Sequence, residues 1–187
     1  MSTAPNKTSA TLEDLYPSLN SEIFLDQQDV GFRRQGIQFL SFPLSFNTEA
    51  MIAVDQLSAV LKVQPHQITP IPGMDPWVLG VYNWRGTITW VIDLAAFLGQ
   101  PPLFQQSGSL NTLSVLIGCS TSTHAFLGLA ISQVGDMHWC QPDDIASAPA
   151  TAVTQGLAPY LRGHTLTSQG DIALILDMHP LFERLSL

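Results

Sequence analysis

The sequence predicts an all-β protein made of two similar small β-barrel units with short helices. From Ile37 onward, short runs rich in β-branched and aromatic residues alternate with Gly, Pro, Asn and Asp, which is typical of strands joined by turns. Long helical periodicity is absent from this region. The later part of the chain also resembles the earlier part, and an internal repeat indicates repeated structural units. Short strands at close spacing favour small barrels over a sandwich.

We expect seven strand-rich runs and two short helices. The first helix begins after Asp93, whose side chain can cap it, and ends at Gly99, which is followed by prolines. The second helix begins after Asp177 in the same way. The strand-rich runs cover residues 37–46, 50–63, 77–84, 86–94, 110–119, 125–139 and 171–177.

Two pairs of segments carry the repeat. Residues 89–98 match residues 173–182 in their order of strand, Asp and helix. Residues 53–68 align without a gap with residues 130–145, at an offset of 77. The same offset places Arg85-Gly86 on Arg162-Gly163, after which the second copy has seven extra residues. The identical residues of the gap-free pair are Ala53, Gln56, Gln64, Pro65 and Ile68 in the first copy and Ala130, Gln133, Gln141, Pro142 and Ile145 in the second.

Charge and hydropathy exclude several classes of function. Seven Lys or Arg stand against fifteen Asp or Glu, so the formal net charge is −8. Binding to nucleic acid and docking on an anionic membrane both need clustered cations, and neither is expected. No apolar run approaches the ~20 residues that span a bilayer, and the N-terminus lacks the apolar core of a secretory signal. We therefore expect a cytoplasmic protein in which Cys119 and Cys140 stay reduced.

Residues 1–36 differ in composition from the rest of the chain. They are rich in Ser, Asn, Gln and acidic residues, with only scattered apolar ones. We expect a flexible acidic N-terminal extension. A short motif that folds on a partner is the alternative. Residues 37–187 then form the folded part, with its two repeated barrel halves.

No catalytic site, metal site or cofactor is expected. Asp93 and Asp177 each follow an apolar strand, as in an aspartic protease, but neither precedes the glycine-containing loop that this chemistry needs. Helix capping explains both residues more simply, and a hydrolase that uses them as acids stays as the remaining enzyme hypothesis. His138, Cys140 and Cys119 have none of the usual spacings of zinc ligands.

Residues 83–86 (Asn-Trp-Arg-Gly) stand out because an arginine interrupts the most strand-like part of the chain. An arginine beside aromatic residues on a tight turn has the composition of a protein–protein hot spot. The alternative is that Arg85 pairs with Asp55 or Asp93 and stabilises the turn. The composition leaves both interpretations open.

Residues 68–99 resemble the CheW family of chemotaxis coupling proteins. The family pattern runs Pro-x-Pro-Gly, then Gly-Val-x-Asn-Leu-Arg-Gly, then a strand, Asp-Leu, and a helix that ends in Leu-Gly. From about Ile37 to the C-terminus the flanking regions match in apolar pattern alone. The matching residues are Pro70, Pro72, Gly73, Gly80, Val81, Asn83, Arg85, Gly86, Asp93, Leu94, Leu98 and Gly99.

The resemblance implies two SH3-like five-stranded β-barrel subdomains and an adaptor without enzymatic activity. CheW-like proteins join a CheA-type histidine kinase to methyl-accepting chemoreceptors. One barrel pairs with the regulatory domain of the kinase, and the receptor tip lies along a surface that includes the Arg-Gly turn. On this basis Arg85 is the leading partner-contact residue, with Asn83, Trp84 and Gly86 beside it.

Some features depart from the family pattern. Trp84 stands where Leu is usual, Thr89-Trp90 replaces a common Leu-Pro pair, and Ala59 stands where many members carry Glu. Together with the N-terminal extension, these features look like cyanobacterial CheW-like proteins of pilus-driven phototaxis, of the PixI kind. In that alternative a response regulator or motility factor joins or replaces the receptor. The strand of Ala59, the aromatic residues Trp77 and Trp84 and the N-terminal extension are then the candidates for the contact.

Overall fold

The computed structural model describes residues 36–45, 48–106, 111–147, 157–167 and 170–185, so residues 1–35 of the predicted N-terminal extension lie outside these ranges. Three short α-helices occur in the described part: α1 (Leu94–Phe97), α2 (Leu103–Gln106) and α3 (Met178–Leu185). Its strands are β1 (Ile37–Ser45), β2 (Thr48–Ala53), β3 (Leu57–Val63), β4 (Val78–Trp84), β5 (Thr87–Asp93), β6 (Leu113–Cys119), β7 (Phe126–Ile131), β8 (Met137–Cys140), β9 (Leu161–Leu166) and β10 (Ile172–Leu176).

The strands form two five-stranded sheets. One sheet has the order β3-β6-β7-β5-β4, and we call it the central barrel. The other has the order β8-β1-β2-β10-β9, and we call it the terminal barrel. In each sheet an isolated bridge joins one edge strand to the segment that follows the other edge strand. Val81 on β4 pairs with Thr69 after β3 in the central barrel, and His164 on β9 pairs with Ala146 after β8 in the terminal barrel. The predicted all-β fold with two five-stranded units is confirmed.

The two barrels do not coincide with the two halves of the repeat. The central barrel contains β3 to β7, which follow one another in the chain, whereas the terminal barrel joins β1 and β2 to β8, β9 and β10. The chain therefore crosses between barrels at the 3-10 turn Val54–Gln56 and again between β7 and β8. Parallel pairs, β2 with β10 and β5 with β7, complete each sheet. Each half of the repeat thus contributes strands to both barrels.

The predicted match of Arg85-Gly86 with Arg162-Gly163 is wrong. Gly80 lies opposite Val91 in the β4–β5 hairpin, and Gly163 lies opposite Ile175 in the β9–β10 hairpin. A Cβ atom at Gly80 would clash with the carbonyl of Thr69, and one at Gly163 with the carbonyl of Ala146, so both positions need glycine where the barrel closes. Gly163 is therefore the counterpart of Gly80, and most of the extra residues of the second copy precede β9.

The strand β9 is absent from the predicted runs, because the residues Leu-Arg-Gly-His-Thr-Leu have little apolar alternation. Two predicted runs are interrupted. Residues 50–63 are divided by the 3-10 turn Val54–Gln56, and residues 125–139 are divided into β7 and β8. Both predicted helices are confirmed, and Gly99 follows α1 with a φ of 75°.

In the described part of the chain, three groups of buried apolar side chains stabilise this arrangement. One lies inside the central barrel and includes Val63, Val91 and Val115. A smaller one lies inside the terminal barrel and includes Phe39 and Ile175. The largest lies between the barrels and α3, with members Phe42, Ile52, Ile92, Leu129, Leu176 and Phe182. Burial of this shared face holds the two barrels together.

Candidate functional site

The predicted contact segment forms the tip of the β4–β5 hairpin. Trp84 and Thr87 are the last paired residues, so Arg85 and Gly86 form a two-residue turn. Their φ angles are 50° and 84°, and positive φ at both central positions is the mark of a type I′ turn. Asn83 Oδ1 accepts a hydrogen bond of 2.9 Å from the Gly86 N–H. The turn therefore presents Arg85 from a well-defined backbone.

Arg85 is exposed at this tip, and its guanidinium carbon lies 5.3 Å from the ring centroid of Trp84. A cation at this distance from an indole ring is attracted by it. Asp93 lies at the other end of β5, and the strand between Thr87 and Asp93 spans about 20 Å. That distance excludes Asp93 as the ion-pair partner of Arg85.

Trp84 itself lies inside the central barrel. Its side chain is 7% exposed, and its ring packs edge-on against Phe126 with the centroids 4.6 Å apart. Its indole Nε1 is buried and finds no acceptor among the described residues. The ring therefore contributes to the core, and it also contacts the guanidinium group of Arg85.

The other two predicted contact residues lie in different surroundings. Ala59 pairs with Ile117 on β6, is 9% exposed, and belongs to the same buried group as Trp84. Trp77 precedes β4 at the opposite end from the turn, and it packs edge-on against Phe97 with the centroids 5.0 Å apart. The structure thus keeps Asn83, Arg85 and Gly86 at the surface, brings Ala59 and Trp84 together in the core, and separates Trp77 from all of them.

Ile88 is a surface residue of this site that the sequence pattern did not single out. It lies directly opposite Asn83 in the hairpin and is 66% exposed. Ile71 and Met74, in the segment before β4, are also exposed large apolar residues of the central barrel. The hairpin tip therefore combines a cation with an exposed aliphatic side chain, a pairing that suits contact with a protein partner.

The two aspartates of the hydrolase hypothesis act as helix caps. Asp93 is 1% exposed, and its oxygens accept hydrogen bonds from the Ala96 N–H at 3.0 Å and the Leu103 N–H at 2.8 Å. Asp177 Oδ1 accepts a hydrogen bond of 3.0 Å from the His179 N–H. The predicted capping by both residues is confirmed.

The structure also places the other candidate ligands. Cys119 is half-buried and Cys140 is buried, and both are free thiols. Within the described ranges, no three or more His, Cys, Asp or Glu side chains lie together as metal ligands would. In the same part of the chain, no helix has the length and apolar character to cross a membrane.

Comparison with known proteins agrees with this geometry. The chemotaxis protein CheW of Bacillus subtilis (strain 168) is 42% identical over 53 residues, which are 28% of this chain and 33% of that protein. The match therefore spans a third of that relative's length. The crystal structure of the scaffolding protein TtCheW from Thermoanaerobacter tengcongensis matches with a TM-score of 0.66 and 22% identity, and covers 79% of this chain and 93% of that chain. This likeness shows the same fold.

The family-level comparison covers most of the chain. The model of the CheW-like domain matches residues 38–186, which extend from β1 to the end of α3 and include both barrels. The resemblance carried by residues 68–99 is thereby confirmed, and the chain belongs to the CheW-like domain family.

Proposed function

We propose that this protein is a non-enzymatic adaptor that couples chemoreceptors to a CheA-type histidine kinase. Support comes from the names of its relatives, a chemotaxis protein CheW and a scaffolding protein. Asp93 and Asp177, the two candidates for acid–base chemistry, also accept hydrogen bonds from backbone N–H groups at the starts of α1, α2 and α3. Their carboxylates therefore have a structural role. The exposed surfaces of the two barrels are therefore the candidate sites of interaction with partner proteins.

The observation that carries this proposal is the conformation of Arg85. Left-handed backbone costs a residue with a Cβ roughly 1 kcal/mol, and asparagine or glycine is usual at this position of a type I′ turn. Arg85 nevertheless takes a φ of 50° and is exposed at the tip. A long cationic side chain in a strained position at the surface suits partner contact, because the turn holds it ready before binding.

The test is the binding of the full chain to two probes, the regulatory domain of a CheA-type kinase and the cytoplasmic fragment of a chemoreceptor. Arg85→Ala and Arg85→Glu are compared with wild type by biolayer interferometry. Removing a hot-spot arginine costs about 2 kcal/mol or more, so we expect affinity for at least one probe to fall about thirtyfold. Arg162→Ala is the matched control, because Arg162 is exposed on β9 of the other barrel.

Two results would contradict the proposal. If wild type binds neither probe, the coupling function is wrong. If Arg85→Ala binds both as wild type does, the hairpin tip is not the contact. The melting temperature of each variant separates lost contact from lost folding.

A finer assignment is also part of this proposal. Ala59 supplies no carboxylate at a position where many family members carry Glu, and its side chain is buried. A chemoreceptor that contacts β3 through this Glu in other family members would bind less tightly here. A response regulator of a type IV pilus phototaxis system is therefore the second candidate partner. Both proposed interactions take place in the cytoplasm. A response regulator receiver domain added as a third probe tests it. If the response regulator still binds after deletion of residues 1–35, the N-terminal extension does not contribute to this contact.

A further inference from the structure

The terminal barrel has an exposed apolar pair at the end of its own hairpin. Leu166 on β9 and Ile172 on β10 lie directly opposite each other, and they are 64% and 48% exposed. They continue the face of β10 on which Leu174 and Leu176 pack between the barrels. Two paired aliphatic side chains at the open end of a buried face offer a contact area for another protein.

An acidic groove of about 780 Å³ lies beside this pair. Glu49, Asp136 and Asp171 line it together with Ile172, and none of the described lysines or arginines does so. Asp136 and Asp171 are exposed. Charges of one sign around a concave surface reinforce one another and attract a partner of the opposite sign.

The matching end of the central barrel has the opposite character. The β4–β5 and β9–β10 hairpins correspond, so Ile172 takes the place of Ile88. Arg85 lies in the turn of the hairpin that carries Ile88, whereas three acidic residues line the groove together with Ile172. The strand registers place Phe126 where the terminal barrel has Glu49, and Thr87 where it has Asp171. The gap-free repeat places Ala59 where it has Asp136. None of these three counterparts is charged. One kind of partner segment therefore does not suit both ends.

We infer that the acidic groove and the Leu166–Ile172 pair, here called the terminal surface, dock a partner protein through a segment in which Lys or Arg lies next to aliphatic side chains. The apolar pair supplies contact area, and the carboxylates select a cationic segment and repel an acidic one. The central barrel, with Arg85, then takes a different partner. The inference adds a second, chemically distinct surface to the proposed adaptor, and only its biological meaning rests on that function.

The probe is a fluorescently labelled peptide of alternating Lys and Leu, with a peptide of alternating Glu and Leu as its counterpart. Anisotropy measured on the full chain is expected to show the Lys-Leu peptide binding at least about tenfold more tightly, with affinity falling as salt is added. Asp136→Lys combined with Asp171→Lys is expected to weaken this binding at least about tenfold. Leu166→Ser combined with Ile172→Ser is expected to weaken it too, since the aliphatic contact is lost.

A matched control separates the groove from the general negative charge of the chain. Asp55→Lys combined with Asp75→Lys changes the net charge by the same amount at exposed positions outside the groove. We expect this variant to bind the Lys-Leu peptide within about twofold of wild type. Equal losses in the two charge-reversed variants would overturn the proposal, because they would show attraction to net charge alone.

Amide chemical shifts locate the peptide. Shifts are expected at Gly135 and Gly170, which line the groove, and not at Gly86 and Ile88. The reverse pattern would overturn the proposal. So would self-association of the full chain that disappears with Asp136→Lys and Asp171→Lys, because the occupant would then be a second copy. Arg85→Ala is expected to leave peptide binding unchanged, so failure here is distinguishable from failure of the coupling function.

Discussion

The side-chain amide of Gln56 donates a hydrogen bond of 2.9 Å to Oδ1 of Asp177, 121 positions further along the chain. Gln56 belongs to the 3-10 turn through which the chain leaves the terminal barrel. Asp177 precedes α3, and Gln56 Oε1 also accepts a hydrogen bond of 3.4 Å from the Met178 N–H. One glutamine therefore ties the crossing between barrels to the start of the last helix.

Gln56→Ala is expected to lower the free energy of unfolding by about 1–3 kcal/mol. The change removes the donor to a carboxylate and the acceptor of the Met178 N–H, and hydrogen bonds to charged groups are the stronger ones. Urea denaturation monitored by circular dichroism measures the effect. Gln133→Ala is the control, since Gln133 is its exposed counterpart in the repeat and we expect a change within about 0.5 kcal/mol. Equal losses in the two variants would contradict this role of Gln56.

Asp93→Ala is expected to cost about 2–4 kcal/mol of unfolding free energy. It removes the cap of α1, worth ~1 kcal/mol, and leaves the buried Leu103 N–H without its acceptor. Asp93→Asn keeps one acceptor oxygen and is expected to lose less. Urea denaturation of both variants checks this order. A loss below ~1 kcal/mol for Asp93→Ala would mean that the contact with Leu103 contributes little.

Gly80→Ala and Gly86→Ala are expected to differ sharply, although both glycines have positive φ. A Cβ at Gly80 would clash with the Thr69 carbonyl where the central barrel closes, so we expect a loss above ~3 kcal/mol or failure to fold. A Cβ at Gly86 meets open space, so the cost is the backbone strain alone, about 1 kcal/mol. Thermal unfolding compares the two. A larger loss for Gly86→Ala would contradict the close approach at Gly80.

Arg85→Asn is expected to weaken partner binding while the free energy of unfolding changes by less than about 0.5 kcal/mol. Asn-Gly is the preferred pair for a type I′ turn, and relief of the arginine's strained backbone, worth roughly 0.5–1 kcal/mol, offsets the lost attraction between Arg85 and the Trp84 ring. Calorimetry gives the melting temperature, and interferometry with the kinase regulatory domain gives the affinity. A lower melting temperature would show instead that Arg85 serves the fold, as in the alternative in which it fixes the turn.

Cys140 is expected to react slowly with thiol reagents. Burial raises the pKa of its thiol, the nearby carboxylate of Asp144 raises it further, and a hydrogen bond with Thr165 acts in the opposite direction. The folded state therefore favours the protonated form. At pH 8 we expect a chromogenic disulfide reagent to label half-buried Cys119 first, and to label Cys140 only as the protein unfolds. If Cys140 in the folded Cys119→Ser variant were labelled as fast as Cys119 is in wild type, this expectation would be contradicted.

The same shift predicts how stability depends on pH. A thiol whose pKa is higher in the folded state binds its proton more tightly there, so its stabilising effect is complete below the unfolded pKa of about 8.5. The effect is lost as the pH rises through the folded pKa, because the unfolded chain then releases the proton more readily. Cys140→Ala is expected to flatten the fall in unfolding free energy above pH 8.5. Urea denaturation at several pH values measures this slope.

The turn and the helix caps near the site could be predicted from the sequence. Which side chains of the hairpin are buried and which are exposed could not. Asp93 and Gly99 mark the ends of α1 through capping chemistry that acts over a few residues, and the Arg85-Gly86 turn follows from its position between two strands. The sequence predicts Trp84 at the contact, but its side chain is buried inside the barrel. A bulge between Val78 and Gly80 shifts the register of β4, and composition does not report which face of a short strand is buried.

The residue pattern was enough to locate most strands and the starts of both predicted helices, to detect the internal repeat, and to identify the family. Which strands pair depends instead on contacts between distant parts of the chain. Ladder hydrogen bonds join backbone groups that every residue except proline carries, so local sequence does not select a partner strand. β2 pairs with β1 of its own half along one edge and with β10 of the other half along the other edge. The second pairing follows from burial of the face shared by both barrels. The same exchange brings Glu49 beside Asp136 and Asp171, and so gives the terminal barrel a charge that its sequence repeat does not predict.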